Sequence, residues 1–245
     1  MASLVEGSSG PEVHLTDEQI RRRRASANRH LSVLKASLNH AFDEGRILNN
    51  NAWGRRVKKF RGVNSTRGRY MTVEECKRFL DACDDVFKPL ARAALETGCR
   101  YSELARLVVA DFNKDAGTIL VRKSKAARER HVVVTKEGMS FFSDATAGRP
   151  PSELMFTKAD GGPWTHGSQG WYVRQANEKA NIDPPIHFHL LRHAWCSLAV
   201  TGGVPLTVVA RNLGHTTTRM IESTYGHLAP SFVADAIRAG APRFV

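Results

Sequence analysis

Four short stretches concentrate side chains able to bind or attack an oxyanion. They are ETGCRYSEL around Arg100, VRKSKAARERHVVV with Lys123 and Lys125, FHLLRHAW with His189 and Arg192, and LGHTTTRMIESTYGHL with His215 and Tyr225. His189 and Arg192 lie three apart and share one face of a helix. A guanidinium offers two oxygens a planar fork and stays charged at any working pH, so two arginines from different segments can grip one anion from two sides. Taken singly, each stretch also has an ordinary explanation. Arg100, just beyond a helix stop, can cap a carbonyl, and an isolated tyrosine is most often a packed or surface ring. HLLRH sets His189 and His193 at i and i+4 as a zinc helix does, but the metalloprotease pattern needs Glu after the first His, and Leu190 stands there. No metal and no cofactor is expected.

The elements that must position these residues are legible in outline. Residues 1–20, with Gly and Ser at 7–10, read as a flexible lead. A helix follows to about Gly45, since Leu31, Leu34, Leu38, Ala41 and Phe42 step by three and four. Residues 46–69 read as a linker with a short basic element. MTVEE opens a second unit: Thr72 and Glu75 form a capping box with Met71 as staple, and helices are expected over 72–83 and 86–97, the second stopped by Gly98. TILVRKS and RHVVV are β-branched strands of a hairpin. Helices are expected over 135–145 and 168–180, separated by a loop containing GGPW, and in pieces over 188–239. RMIEST reads as a helix of about two turns whose polar composition suits a tyrosine that reaches outward rather than into a core.

Charge narrows the partner. The net charge is +12, and residues 21–69 carry fourteen Lys or Arg against Asp43 and Glu44 alone. Such a one-sided block fits an arm along a polyanion, because each neutralised phosphate releases condensed counterions. Arg21, Arg22, Arg23, Arg24, Arg29, Lys35, Arg55, Arg56, Lys58, Lys59 and Arg61 are the candidate DNA-backbone contacts, with Lys123 on the hairpin. No run of apolar residues is long enough to span a bilayer and no secretory signal is visible, so a cytoplasmic location is expected, nucleoid-associated on account of the basic block. The four cysteines show no CxxC spacing and read as reduced, buried thiols.

In combination the stretches resemble a known family. TGxRxxEL, then a lysine on a β-hairpin, then HxLRH, then LGH, then a tyrosine about ten residues on, is the ordered signature of the tyrosine recombinases, and the chain is similar to a phage-type integrase catalytic domain over residues 67–245. The resemblance implies a mainly α-helical (α+β) fold with a small three-stranded antiparallel sheet, preceded over 21–66 by a partial helical core-binding region. It further implies Arg100, Lys125, His189, Arg192, His215 and Tyr225 as the catalytic set. KAARERHVVV from Lys125 matches the family's lysine, short turn and basic residue better than Lys123 does. The implied partner is double-stranded DNA, held by a homotetramer on paired sites with C-terminal segments often exchanged. Residues 226–245, with Phe232, Val233, Ala236 and Ile237, could form a short docking helix.

The implied chemistry is site-specific recombination by metal-free transesterification. Tyr225 attacks a phosphodiester, giving a 3′-phosphotyrosyl link and a free 5′-hydroxyl. Two guanidiniums stabilise the charge that develops on the nonbridging oxygens. A tyrosine pKa near 10 leaves about one hydroxyl in a thousand ionised at pH 7, roughly 4 kcal/mol to be offset, and His189 is the candidate base. Lys125 would protonate the leaving oxygen and His215 would bind the phosphate. The chain departs from the family pattern in a short N-terminal piece, in a His215–Tyr225 spacing one longer than the commoner one, and in Ala194 and Cys196 where Thr and Ala are frequent. The alternatives are an inactive DNA-binding relative, a type IB topoisomerase and, from a different class, a metallohydrolase built on HLLRH.

Overall fold

The computed structural model describes residues 15–63, 69–122, 129–215, 217–226, 238 and 240–242. Contacts divide the chain into two compact units, Met1–Thr66 and Arg67–Val245.

In the first unit α1 spans Asp17–Asp43 and starts inside the segment expected to be a flexible lead. Thr16 and Gln19 close a capping box there, satisfying two orphan amides at the helix start. None of its residues is buried; Val33 and Leu34 stay 68% and 55% exposed. Polar reach, not apolar burial, ties α1 to the following loop. Asn28 brackets the Phe60 backbone from both sides, and Trp53 Nε1 donates to Asn39 Oδ1. Lys35 Nζ donates to the Gly54 and Val57 carbonyls, and Arg21 is shared between Glu18 and the Val63 carbonyl. Lys35 and Arg21, expected as free phosphate contacts, are thus used inside the unit. Arg22 pairs with Glu18, and Arg24 lies over the Phe60 ring. Arg23, Arg29, Arg55, Arg56, Lys58, Lys59 and Arg61 are exposed.

The second unit begins with α2, Val73–Ala82, entered through the expected Thr72–Glu75 capping box with Met71 buried beneath it. Then come α3 (Lys88–Thr97), the single turn α4 (Tyr101–Leu104), a 3-10 turn (Val109–Asp111) and strands β1 (Phe112–Asn113), β2 (Thr118–Val121) and β3 (Arg130–Val133). After the sheet follow α5 (Lys136–Thr146), α6 (Gly170–Lys179), α7 (His189–Thr201), α8 (Leu206–Leu213) and α9 (Arg219–Tyr225). The strands form one antiparallel sheet in the order β1-β2-β3, with Phe112 opposite Ile119 and Thr118 opposite Val133. Alternation turns Ile119, Val121 and Val132 inward and leaves Val133 exposed. β1 is too short to show in the sequence pattern.

The main core forms where α3 packs on α7. Ala91, Ala93 and Ala94 are fully buried, small enough to let the helix backbones approach. Around Phe87 the rings of Trp164, Tyr172 and Phe188 lie with centroids 5.6 to 6.1 Å away, so the GGPW loop is anchored by its tryptophan. Each fully buried large side chain contributes roughly 1.5–3 kcal/mol. A smaller second cluster joins Cys196 and Val200 of α7 to Val209, Ala210 and Leu213 of α8 and to Ile221 and Tyr225 of α9. All four cysteines are buried and unpaired. Among the described residues no helix is long and apolar enough to cross a membrane.

Candidate active site

Two helix stops place the first site residues. α3 ends at Gly98 (φ 65°) and α8 at Gly214 (φ 72°), both left-handed, a conformation that costs an L side chain about 1–2 kcal/mol. Space forbids a Cβ at Gly98 as well, since it would meet the Trp195 ring at 2.7 Å and Leu213 at 2.8 Å. Past these stops the chain turns out to Arg100 and His215.

Arg192 bridges the two stops. It is 5% exposed, and its Nη1 donates to the Gly98 carbonyl at 2.7 Å while Nη2 donates to the Leu213 carbonyl at 2.8 Å. The guanidinium thus sits at the negative ends of two helices, which offsets part of its desolvation. Burial, then the charge of Arg100, lowers its pKa to about 10, still far above neutrality. Nη2 also meets His215 Nε2 at 2.9 Å. Arginine can only donate, so Nε2 is the acceptor and the His215 proton resides on Nδ1. That Nδ1 is buried and has no partner among the described residues.

Glu103 and Arg130 hold this arrangement from behind. Arg130 is 8% exposed and Glu103 5% by side chain, and they meet as a two-pronged fork at 3.0 and 2.9 Å. Glu103 also accepts from the Arg100 backbone amide at 2.8 Å and from Arg100 Nη1 at 3.1 Å. Arg130 Nε donates to the Asn212 carbonyl at 2.7 Å, and its guanidinium fills the space over Gly214 where a Cβ would stand, at 3.0 Å. One ion pair therefore links β3, the Arg100 turn and the end of α8. Burial alone would raise the Glu103 carboxyl, but the Arg130 fork and the Arg100 amide hold it at about 2. Neither Glu103 nor Arg130 was singled out from the sequence; the available signal was the three-residue spacing from Arg100 to Glu103 inside a turn.

Arg100, His189, Arg192 and His215 line one cavity of about 330 Å³, and Tyr225 lines it too. No carboxylate is among the described lining residues. Desolvation, then neighbouring His193 and Arg192, brings His189 down to about 4, and desolvation followed by Arg192 lowers His193 and His215. Burial and the neighbouring guanidinium of Arg192 therefore bias all three imidazoles toward the neutral form.

Tyr225 corrects one expectation. Its side chain is not turned outward: it is 4% exposed and belongs to the second core cluster, at 5.6 Å from the Tyr70 ring. The polar residues of α9 occupy its outer face, whereas Ile221 and Tyr225, four apart, share the inner one. Burial, then Cys196 beside it, pushes the hydroxyl far above the usual tyrosine range. Tyr70 Oη donates to the Thr224 carbonyl at 2.8 Å, fastening the end of α9. The imidazole that meets the Tyr225 hydroxyl is that of His193, through Nδ1; His189, the expected base, stands one turn away with its ring 4.9 Å from that of His193. His193 entered the sequence reading only as half of an HxxxH pair. Among the described residues no three His, Cys, Asp or Glu side chains group as a metal site would. Lys123, Lys125 and the segment holding Phe232, Val233, Ala236 and Ile237 lie outside the described residues.

Comparison with known proteins gives the family. The model of the phage integrase family matches residues 69–231. The integrase of Salmonella phage P22 is 27% identical over 222 residues, covering 85% of this chain and 55% of its own length. A tyrosine recombinase XerD of Chlorobaculum tepidum is 29% identical over 189 residues, 71% of this chain and 62% of its own. The chain thus spans less than two thirds of these relatives. Among solved structures, the Tn1549 transposon integrase in complex with circular intermediate DNA aligns with a TM-score of 0.68 at 19% identity, over 95% of this chain and 88% of that one. A lambda integrase dimer bound to a core site gives 0.62 at 20% identity, over 86% and 82%. At such identities the likeness is one of fold.

Proposed function

The chain belongs to the phage integrase family, and on that premise we propose that it is a tyrosine recombinase that cuts and rejoins duplex DNA at specific sites. The observation that carries this reading is the convergence of Arg100, Arg192, His215 and Tyr225 on one cavity free of carboxylates among its described lining. A scissile phosphate seated there meets two guanidiniums from different elements, and their hold strengthens as negative charge builds on the nonbridging oxygens. The Tyr225 oxygen forms a bond to phosphorus, the bond to the 5′-oxygen breaks, and Lys125 supplies the proton to that leaving oxygen. An imidazole of α7 takes the proton from Tyr225. Attack by a 5′-hydroxyl of a second duplex reverses the step and exchanges strands, so bond energy is conserved.

The exposed cations of the first unit, Arg23, Arg29, Arg55, Arg56, Lys58, Lys59 and Arg61, together with Lys123, contact the DNA backbone in this reading. Four copies on two sites complete the reaction. A nicked suicide duplex, selected as DNA that the chain protects in a footprint, tests it. Wild-type protein is expected to leave an SDS-resistant adduct that is insensitive to EDTA and absent in Tyr225→Phe. Cutting without an adduct, or loss of cutting in EDTA, overturns it, and plasmid relaxation without strand exchange between two sites points to a topoisomerase instead.

A further inference from the structure

We propose that His193, through Nδ1, is the base that accepts the Tyr225 proton as the phosphotyrosyl bond forms. This rests on the recombinase reading and sharpens it. The contact is direct: His193 Nδ1 and the Tyr225 hydroxyl are hydrogen-bonded, and the two rings lie 6.0 Å apart and tilted by 37°. Both groups line the cavity that Arg100 and Arg192 line, so the proton acceptor and the phosphate clamp flank the same oxygen. His189 has no comparable contact among the hydrogen bonds of the described residues; it faces the cavity beside Arg192.

The surroundings explain why the transfer waits for DNA. His193 is faced on its own helix by His189, Arg192 and Cys196, by His187 just before it, and by Tyr225 from α9; Tyr70 lies beyond Tyr225, and Arg100 and His215 form the far wall. Without a phosphate, burial first and then the cationic charge of Arg192 oppose an imidazolium at His193. A phosphate in the clamp cancels that charge, and the dianionic transition state favours an imidazolium next to it. The step balances within the chain. The Tyr225 O–H proton passes to Nδ1, the oxygen pair goes to phosphorus, and the 5′-oxygen departs with a proton from Lys125. Reversal returns the proton from His193 to the tyrosine.

The closing experiment uses His193→Asn, whose side-chain oxygen can accept the tyrosine hydrogen bond from nearly the same place but cannot take the proton near neutrality. Single-turnover cleavage of the nicked duplex at saturating protein is followed from pH 6 to 10, with an unfolding curve for each variant. The expected result is a deficit of about 100- to 1,000-fold at pH 7 in a folded protein. The deficit should shrink about tenfold per pH unit as hydroxide replaces the base. It should persist on a duplex with sulfur at the bridging 5′ position, whose leaving group needs no acid. Nitrogen-15 spectra of wild type and Tyr225→Phe give a readout independent of DNA: His193 Nδ1 should lose its acceptor shift in the variant. A deficit below threefold, one that is the same at every pH, one abolished by sulfur, or a pH-dependent deficit found in His189→Asn instead overturns the assignment. If wild type forms no adduct on DNA that it binds, the recombinase reading fails with it; if it forms one and His193→Asn matches it, the base assignment alone fails.

Discussion

The Arg192 side and the Tyr225 side of the cavity are built by different physics. On the first, Arg192, Arg130, Glu103 and Arg100 are locked by charged hydrogen bonds that tie α3, α4, α7, β3 and the end of α8 together. On the second, α9 is a seven-residue helix held by Ile221 and Tyr225 in a small apolar cluster, by the Tyr70 hydroxyl and by one imidazole. A cation clamp must be rigid before charge develops, since any reorganisation during the reaction subtracts from its stabilising effect. On the proposed reading Tyr225 must travel a bond length or more, and a short helix on a small cluster yields where the ion-pair network does not.

The largest expected effect breaks the rigid side. Glu103→Ala leaves Arg130 buried without a counterion, and about 3–5 kcal/mol should be lost in a denaturant titration, with cleavage abolished. The same carboxylate sets an acid limit. Its folded pKa of about 2 lies below the ordinary 4.5, so its contribution is fully present above pH 4.5 and disappears as pH falls toward 2. That contribution is about 3 kcal/mol, and the stability gap between wild type and Glu103→Gln should close across that window. Next comes the yielding side. Ile221→Ala empties a fully buried position at a cost of about 2–4 kcal/mol, and hydrogen exchange should speed up in α9 while the amides of residues 97–104 keep their protection. Equal acceleration in both places would erase the contrast drawn between them.

Gly214→Ala probes the joint. A methyl at φ 72° and 3.0 Å from the Arg130 guanidinium should destabilise by about 1–2 kcal/mol in thermal melts and slow cleavage out of proportion, because the displaced fork is the one that steadies Arg100. Thr72→Ala, at a cap that lines neither side of the cavity, should lower stability by about 1 kcal/mol and leave the cleavage rate of the remaining folded protein unchanged.

Much of this was readable from local pattern. Capping box, glycine stop, β-branched strands and two-turn α9 are signals of three to seven residues, set by backbone geometry and available in one dimension. The fold class and the set Arg100, His189, Arg192, His215 and Tyr225 came instead from the family resemblance carried by the ordered motifs, since local pattern alone leaves each of these residues an ordinary explanation. What escaped depends on closeness in space. Arg130 reads as one more basic residue of a hairpin, and only the fold reveals that it sits on Glu103 and over Gly214. Tyr225 looked outward because its neighbours are polar, yet one side chain in four on a helix suffices to reach a core. Lys35 and Arg21 counted as free charges until backbone carbonyls claimed them.

The crowding of Arg100, Arg130 and Arg192 around the single carboxylate of Glu103 has a thermodynamic corollary. Like charges held together by a fold work against that fold, and an anion that binds only the folded form removes the penalty by mass action. Sulfate or inorganic phosphate at a hundred times its dissociation constant would raise stability by about 2.7 kcal/mol. The melting temperature measured against anion concentration is then a gauge of clamp occupancy, and on the proposed reading a DNA phosphate would act as a folding ligand before it is a reactant.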